Sequence, residues 1–430
     1  MSRDSTVAIV GGGLAGLVAA RHLATAGYDV TLYERRKDVG GRVRTVERDG
    51  YRFDRGFQVL FTEYPAVKRE LVLEALALRR FAPGAVIARP GRRSTLSDPF
   101  RDPKALPATL FNTDVTVGDK LRVLRLRRAL ERTDPETIFE GPDQSIEQYL
   151  REQGFSDRFI DRFAAPFYGG ITLDRSLSTS KRVFEYTFRT LSLGSIAVPA
   201  TGMQEIPRQL ATRAEDAGAE IRTDTEVTAV DANSGGSITS TLSSERGTET
   251  VEADAVIVAT DPPTARELTG VTTVPTGTKQ CVGQYYAMPG GTDLETGGRL
   301  ILNAVDDEGP NQIVPHTAVA PEYAPEDRTL LSATYLGAVD ADDEELTART
   351  RRALESWYPE RLFEQLECVH TERVPFAQFE QPPGVHDDLP DVRDPGDGVY
   401  LAGDYTRWSS IQGALESGRD AANAVMQDLA

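Results

Sequence analysis

Within the first 34 positions the apolar residues change their period twice. Val7-Ala-Ile-Val10 is a short unbroken apolar run, the pattern of a parallel strand buried on both faces. Leu17, Ala20, Leu23 and Ala24 then fall on one stripe of a helix that Gly27 stops. Asp29-Val-Thr-Leu-Tyr33 reads as a second strand. The turn between the first strand and the helix is Gly11-Gly-Gly13-Leu14-Ala15-Gly16, a Gly-x-Gly-x-x-Gly. There the first glycine permits the tight turn, the second lets a pyrophosphate approach the backbone, and the third lets helix pack on strand. Glu34, at the end of the second strand, offers a carboxylate to ribose hydroxyls and repels a 2′-phosphate. Strand, helix, strand and acid together predict a dinucleotide-binding unit.

Further along, residues 64–195 read as mostly helical, with proline-rich joins near Pro83, Pro90 and Pro99–Pro107. Asp119–Arg132 is a helix candidate with Leu121, Leu124, Leu126 and Leu130 as its apolar side and a dense run of arginines. Such a run is ordinarily a solvated face paired with carboxylates; its other reading is contact with anionic lipid or an acidic substrate. Ser145 and Gln148 have capping-box spacing. Met203–Ala217 predicts a helix stopped by Gly218, followed by strands at 219–223, 225–230 and 252–260. Residues 271–394 read as β-rich, with strands near 279–287, 299–305 and 329–336. A helix opens at Asp342-Asp-Glu-Glu, where acidic residues suit the helix dipole.

Composition narrows the picture. At 430 residues, two domains are expected, and 40% hydrophobic with 27% charged residues is a soluble globular balance. No apolar run has bilayer length and no long apolar stretch precedes Val7, so the expected location is cytoplasmic, at most peripheral to a membrane. A net charge of −18 disfavours nucleic acid, whose phosphates need a basic face. Only six of the 48 basic residues are lysines, against 66 acidic ones, a balance like that of a halophile's cytosolic proteins. Cys281 and Cys368 suit neither a disulfide framework nor a metal site, and no metal is expected. His22, His316, His370 and His386 are scattered, without a recognisable partner, so they read as packing or surface residues and no catalytic residue is assigned.

Three further segments carry a resemblance: Gly40-Gly41-Arg42-Val-Arg-Thr45; Asp54-Arg-Gly56; and Ala402-Gly403-Asp404 followed by Ile411-Gln412-Gly413-Ala414-Leu-Glu-Ser417-Gly418. They are similar to the flavin amine oxidase, phytoene desaturase and protoporphyrinogen oxidase superfamily. The resemblance implies an α/β fold: a Rossmann-like FAD-binding domain of glutathione-reductase type, with an α+β substrate domain of mixed sheet and helices. The first would comprise 1–63, 196–270 and 395–430, the second 64–195 and 271–394. It implies FAD as cofactor, held by the glycine turn and Glu34 together with Arg35, Gly40, Gly41 and Arg42. Val227 would stand by adenine, Gly403 and Asp404 by the ribityl or pyrophosphate, and the helix start at Ile411, Gln412, Gly413 and Ala414 by the flavin ring. Phe167 and Tyr168, in Pro166-Phe-Tyr-Gly-Gly170, would face substrate. Thr201 departs from the superfamily's Pro-x-Gly-Gly-Met turn, where the first glycine is usual.

The chemistry implied is transfer of a hydride from a C–H bond of a small-molecule substrate to flavin N5. Only one dinucleotide motif is present, so a separate acceptor, oxygen or a quinone, would reoxidise the flavin. In amine oxidases of the superfamily an aromatic cage residue stands where this chain has Ser410, with Trp408 two residues earlier. That absence favours a desaturase-type reaction on a lipophilic polyene or isoprenoid, with amine or protoporphyrinogen oxidation as the alternative. Lys279 is a candidate lysine near N5. A non-catalytic escort module is the reading from another class, opposed by Gly40-Gly41-Arg42, Asp404 and Gly413-Ala414. The oligomeric state is not legible in the sequence.

Overall fold

A five-stranded parallel sheet forms around the opening strand, Thr6–Val10. The computed structural model describes residues 5–97, 101–102, 112–232, 237–245 and 247–430; apart from 101–102, the expected proline-rich join at Pro99–Pro107 lies outside them. The strand order is Glu220–Arg222, Asp29–Tyr33, Thr6–Val10, Ala255–Val258, Val399–Leu401. Alternate residues of the opening strand serve two different cores. Val7 and Ile9 pack with the first helix, Leu14–Thr25, the closing helix, Ile411–Asp428, and the helix Glu205–Asp216. Ala8 and Val10 face an antiparallel meander of Thr225–Ala232, Ile238–Ser244 and Gly247–Ala253 through Val227, Ile238 and Leu242. With both faces covered, the strand has no polar side, which is why its sequence runs apolar without alternation. The first and closing helices cross at a glycine: a Cβ on Gly418 would stand 2.2 Å from the Ala15 carbonyl oxygen.

A second, seven-stranded sheet runs in the order Glu367–Phe379, Thr278–Pro289, Arg328–Leu336, Gln312–Pro315, Ile301–Asn303, Ala85–Arg89, Arg92–Leu96. Helix Asp343–Trp357 covers one face through Leu346, Leu354 and Trp357. It begins where expected, with the Asp342 side chain accepting from the Glu345 amide. The expected pattern is incomplete in two places. Residues 64–195 carry the expected helices but also three strands, Leu78–Arg80, Ala85–Arg89 and Arg92–Leu96. Ala85-Val-Ile-Ala88 is a short apolar run, which periodicity cannot tell from a helical segment. The long strand Glu367–Phe379 escaped the pattern altogether, because its outer position leaves it rich in polar residues.

Helices Val117–Glu131, Ile146–Glu152, Ala165–Thr172 and Lys181–Leu193 build a separate layer around Leu126, Leu130, Leu150, Phe159 and Phe184. Ser145 caps its helix, accepting from the Gln148 amide at 3.2 Å, while the Gln148 side chain turns to Glu152 instead of closing a box. Asp54 ties the seven-stranded sheet to the turn that precedes helix Glu205–Asp216. Its carboxylate accepts from Thr45 Oγ1 (2.5 Å), the Met203 amide (2.9 Å) and the Tyr323 hydroxyl (2.8 Å), and its carbonyl from Tyr285 (2.7 Å). Burial raises the Asp54 pKa above the usual carboxylate range, and these donors oppose the rise.

Candidate functional site

A trough of about 520 Å³ begins at the opening glycine turn and runs between the two sheets. Of the seventeen residues expected at a cofactor, fourteen border it; Gly16, Gln412 and Gly413 do not. Gly16 and Gly413 are packing glycines, since a Cβ would stand 2.1 Å from the Gly11 oxygen and 2.2 Å from the Trp408 oxygen respectively. Gln412 is fully buried in the first turn of the closing helix. Its Oε1 accepts from the Ala66 amide at 2.9 Å and its Nε2 donates to Glu416 at 2.7 Å, so its side chain is spent on structure.

At one end Glu34 is buried, with Oε2 accepting from the Gly12 amide (2.8 Å) and Oε1 from the Arg36 amide (3.0 Å). Arg35 lies across this end, 3.6 Å from Asp261 and 3.9 Å from Glu226. Val227 borders the trough where a bulge between Val227 and Ala229 interrupts pairing with the neighbouring strand. In the middle, two glycine turns face each other. Gly11 has φ +109° and Gly41 φ +60°, a Cβ on Gly13 would meet nothing within 4 Å, and one on Gly41 would come within 3.3 Å of the Gly13 Cα. The first helix starts beside them with no side-chain cap and no acid in its first turn. Its amide donors and positive dipole end are thus available to an anion.

Arg42 does not present a free fork to the trough. Its Nη2 donates to Asp404 Oδ1 at 2.6 Å and its Nη1 to the Ala377 carbonyl at 3.2 Å. Asp404 is almost fully buried and also accepts from Ser409 Oγ at 2.9 Å, and a buried carboxylate needs such a counter-charge. Burial works against the guanidinium, but the charge and hydrogen bond of Asp404, with Asp261 and Tyr405 behind them, together outweigh it and hold the Arg42 pKa above the ordinary arginine value. The closing helix begins at the trough, where Ser410 Oγ accepts from the Gly413 amide at 2.8 Å. That amide is therefore not free for a ligand; those of Ile411 and Gln412 have no partner among the described residues.

The far end is walled by Phe57, Phe61, Tyr64, Phe167, Ile171, Val183, Leu300, Leu302 and Trp408. Phe167 borders it as expected, but Tyr168 does not: it is buried against Phe184, with ring centroids 4.6 Å apart. Lys279 is also off the trough, its Nζ 3.5 Å from Asp174 and 3.9 Å from Glu380. Cys281 borders the trough, and burial pushes its thiol pKa up to about 11, far from a reactive thiolate. Most of these wall residues carry no sequence signal. They come from separate strands and helices that only the fold brings together.

A conserved-family model for flavin containing amine oxidoreductases matches residues 14–426. The chain belongs to that family. It is accordingly a FAD-dependent oxidoreductase by class, with the Rossmann-like cofactor fold and a mixed substrate sheet. A phytoene dehydrogenase of Streptomyces griseus is 32% identical over 294 residues, 62% of this chain and 56% of its own length. A 15-cis-phytoene desaturase of Capsicum annuum is 23% identical over 98% of this chain and 78% of its own length. Among solved structures, a candidate protoporphyrinogen oxidase from Exiguobacterium sp. 255-15 superposes over the full length of both chains with a TM-score of 0.73 at 20% identity, a likeness of fold. The trough suits the family's cofactor. Facing turns of bare glycine, an uncapped helix start and a buried acid are what a pyrophosphate flanked by a ribose requires.

Proposed function

We propose that this flavoenzyme takes a hydride from a C–H bond of a lipophilic substrate, a polyene or isoprenoid, with a separate acceptor, oxygen or a quinone, removing the electrons. The observation that carries this reading is the wall of the far end. It is largely apolar and aromatic, and Arg55, which also borders the trough, is paired with Glu372 at 3.1 Å. An ammonium would need a carboxylate or an aromatic cage. The carboxylates that border the trough, Glu34, Glu226, Asp261 and Asp404, belong to the turn end and the middle, not to this wall. Trp408 meets Tyr64 edge-on, with centroids 6.0 Å apart at 85°, so the two rings touch and leave no slot between them. The two relatives named for phytoene dehydrogenation and desaturation support the same class.

In this reading the cofactor unit is made of 1–63, 196–270 and 395–430, and the substrate unit of 64–195 and 271–394. Glu34 takes the ribose, with Arg35 and Val227 around the adenine. The amides at Gly13, Leu14 and Ala15 take the pyrophosphate. The Arg42–Asp404 pair stands by the ribityl or pyrophosphate and the start of the closing helix by the ring, where the partial positive charge of that helix end favours the negative charge of a reduced flavin. FAD, when bound, supplies the hydride acceptor. The chain's own part is to orient the C–H bond and keep water from the reacting centre, since among the described residues no histidine or lysine borders the trough.

Anaerobic bleaching of the flavin tests this directly. Micellar polyenes or isoprenoids should reduce it. Rapid reduction by primary or secondary amines, or no response to any substrate class, would overturn the assignment.

A further inference from the structure

We propose that the helix Val117–Glu131 docks the protein on an anionic lipid bilayer. The helix start is set by a capping box: Thr116 Oγ1 accepts from the Asp119 amide at 3.1 Å, and Asp119 Oδ2 accepts from the Thr116 amide at 3.0 Å. Leu126 and Leu130 are buried in the helical layer. Positions 117, 121, 125, 128 and 132, spaced four, four, three and four, form one stripe on the opposite side. Val117 and Leu121 on that stripe are 72% and 62% exposed, and Arg125, Arg128 and Arg132 are exposed as well.

The ordinary reading of an arginine-rich face, pairing with surface carboxylates, does not hold here. Asp119 is buried, and Glu131 is taken by Arg127 at 2.6 Å. Among the described residues Arg125, Arg128 and Arg132 form no ion pair, although the chain carries a net charge of −18. A cationic patch that keeps its charge on so acidic a protein selects an anionic partner. Two bare aliphatic side chains one turn apart on the same stripe select a bilayer, which accepts both charge pairing and shallow apolar insertion.

The helix that carries the stripe is also joined, through its other face, to an element of the trough wall. Arg127 donates to the Ser192 carbonyl at 3.1 Å, joining this helix to Lys181–Leu193, which supplies Val183 and Thr187 to the trough. From beside Asp119, whose Oδ1 accepts from the Ser156 amide at 2.9 Å, a row of phenyl rings leads inward: Phe155, Phe159, Phe163 and Phe167, with successive centroids 4.5, 5.4 and 5.3 Å apart. Phe167 borders the trough. Docking through this helix would set the helical layer of the substrate unit against the membrane, where a lipophilic substrate is dissolved. The inference thus rests on the reading of a lipophilic substrate, but its test requires no turnover.

The FAD-loaded protein is floated with vesicles of phosphatidylcholine alone and of phosphatidylcholine mixed with phosphatidylglycerol, at the lowest salt at which its circular dichroism stays native. Capture by the mixed vesicles only is expected. A variant combining Arg125→Gln, Arg128→Gln and Arg132→Gln should lose binding roughly tenfold or more. Val117→Ser with Leu121→Ser should weaken binding to the same vesicles, and both variants should keep the wild-type flavin spectrum. Capture by neither vesicle, equal capture by both, or either variant binding as the wild type would overturn the proposal. Flavin reduction by an amine would overturn the lipophilic substrate while leaving the vesicle result to stand on its own.

Discussion

At the scale of single residues, the site is held by charges that neutralise one another inside the protein. Arg42 and Asp404 were legible as two separate cofactor contacts; the structure makes them a pair 2.6 Å apart. Arg42→Ala would strand Asp404 with Ser409 as its remaining partner, at a cost of about 3 kcal/mol. Urea unfolding should show that loss, and flavin fluorescence should show weaker FAD retention; an unchanged midpoint would mean that the pair contributes nothing. His316 gives a pH prediction. It is buried, its Nε2 lies 2.8 Å from Ser332 Oγ, and burial lowers its pKa from 6.5 to about 3. Between those two values the unfolded chain takes up a proton that the native fold refuses. Its contribution is therefore complete above pH 6.5 and declines as pH falls toward 3, at up to about 1.4 kcal/mol per pH unit. His316→Gln should flatten the fall in urea midpoint between pH 7 and pH 5; the same slope in the variant would assign it to other groups.

Among elements, the contact between the first and closing helices depends on missing side chains. Gly418→Ala would place a Cβ 2.2 Å from the Ala15 oxygen, so the helices must separate or tilt. A loss of about 3 kcal/mol is expected, at the upper end for overpacking, because the clash is with backbone. A melting temperature equal to wild type would show that the crossing yields easily. Ser410→Ala removes the cap of the closing helix at the trough and should cost about 1 kcal/mol. Its flavin absorption should shift as well, since the same turn borders the trough; an unshifted spectrum would separate the cap from the ring. Elements with strong local signals were legible: the glycine turn, the Asp342 cap, the buried strand at Ala255–Val258. Ala85–Arg89 and Glu367–Phe379 were not. The first is too short for its period to speak, and the second owes its strand conformation to pairing with Thr278–Pro289.

For the whole molecule, the dominant long-range quantity is the net charge of −18. Carboxylates spread over one compact surface repel each other, and added salt screens them within about 10 Å at 0.1 M and 3 Å at 1 M. The melting temperature should therefore rise with potassium chloride concentration up to molar values. A flat or falling curve would show that the acidic surface carries little self-repulsion. The same screening makes the basic stripe on Val117–Glu131 a salt-sensitive feature, so the two responses run in opposite directions and are separable.

The sequence alone determined the cofactor unit and its class. A glycine turn, a strand that is apolar throughout and a terminal acid are local requirements, met by residues within a few positions of one another. Tertiary structure decided the rest: that Arg42 is spent on Asp404, that Gln412 and Lys279 point away from the trough, and that phenyl and aliphatic side chains from distant segments wall its far end. Which way a side chain faces, and what neutralises it, depends on partners up to hundreds of residues away along the chain, and no local pattern encodes them.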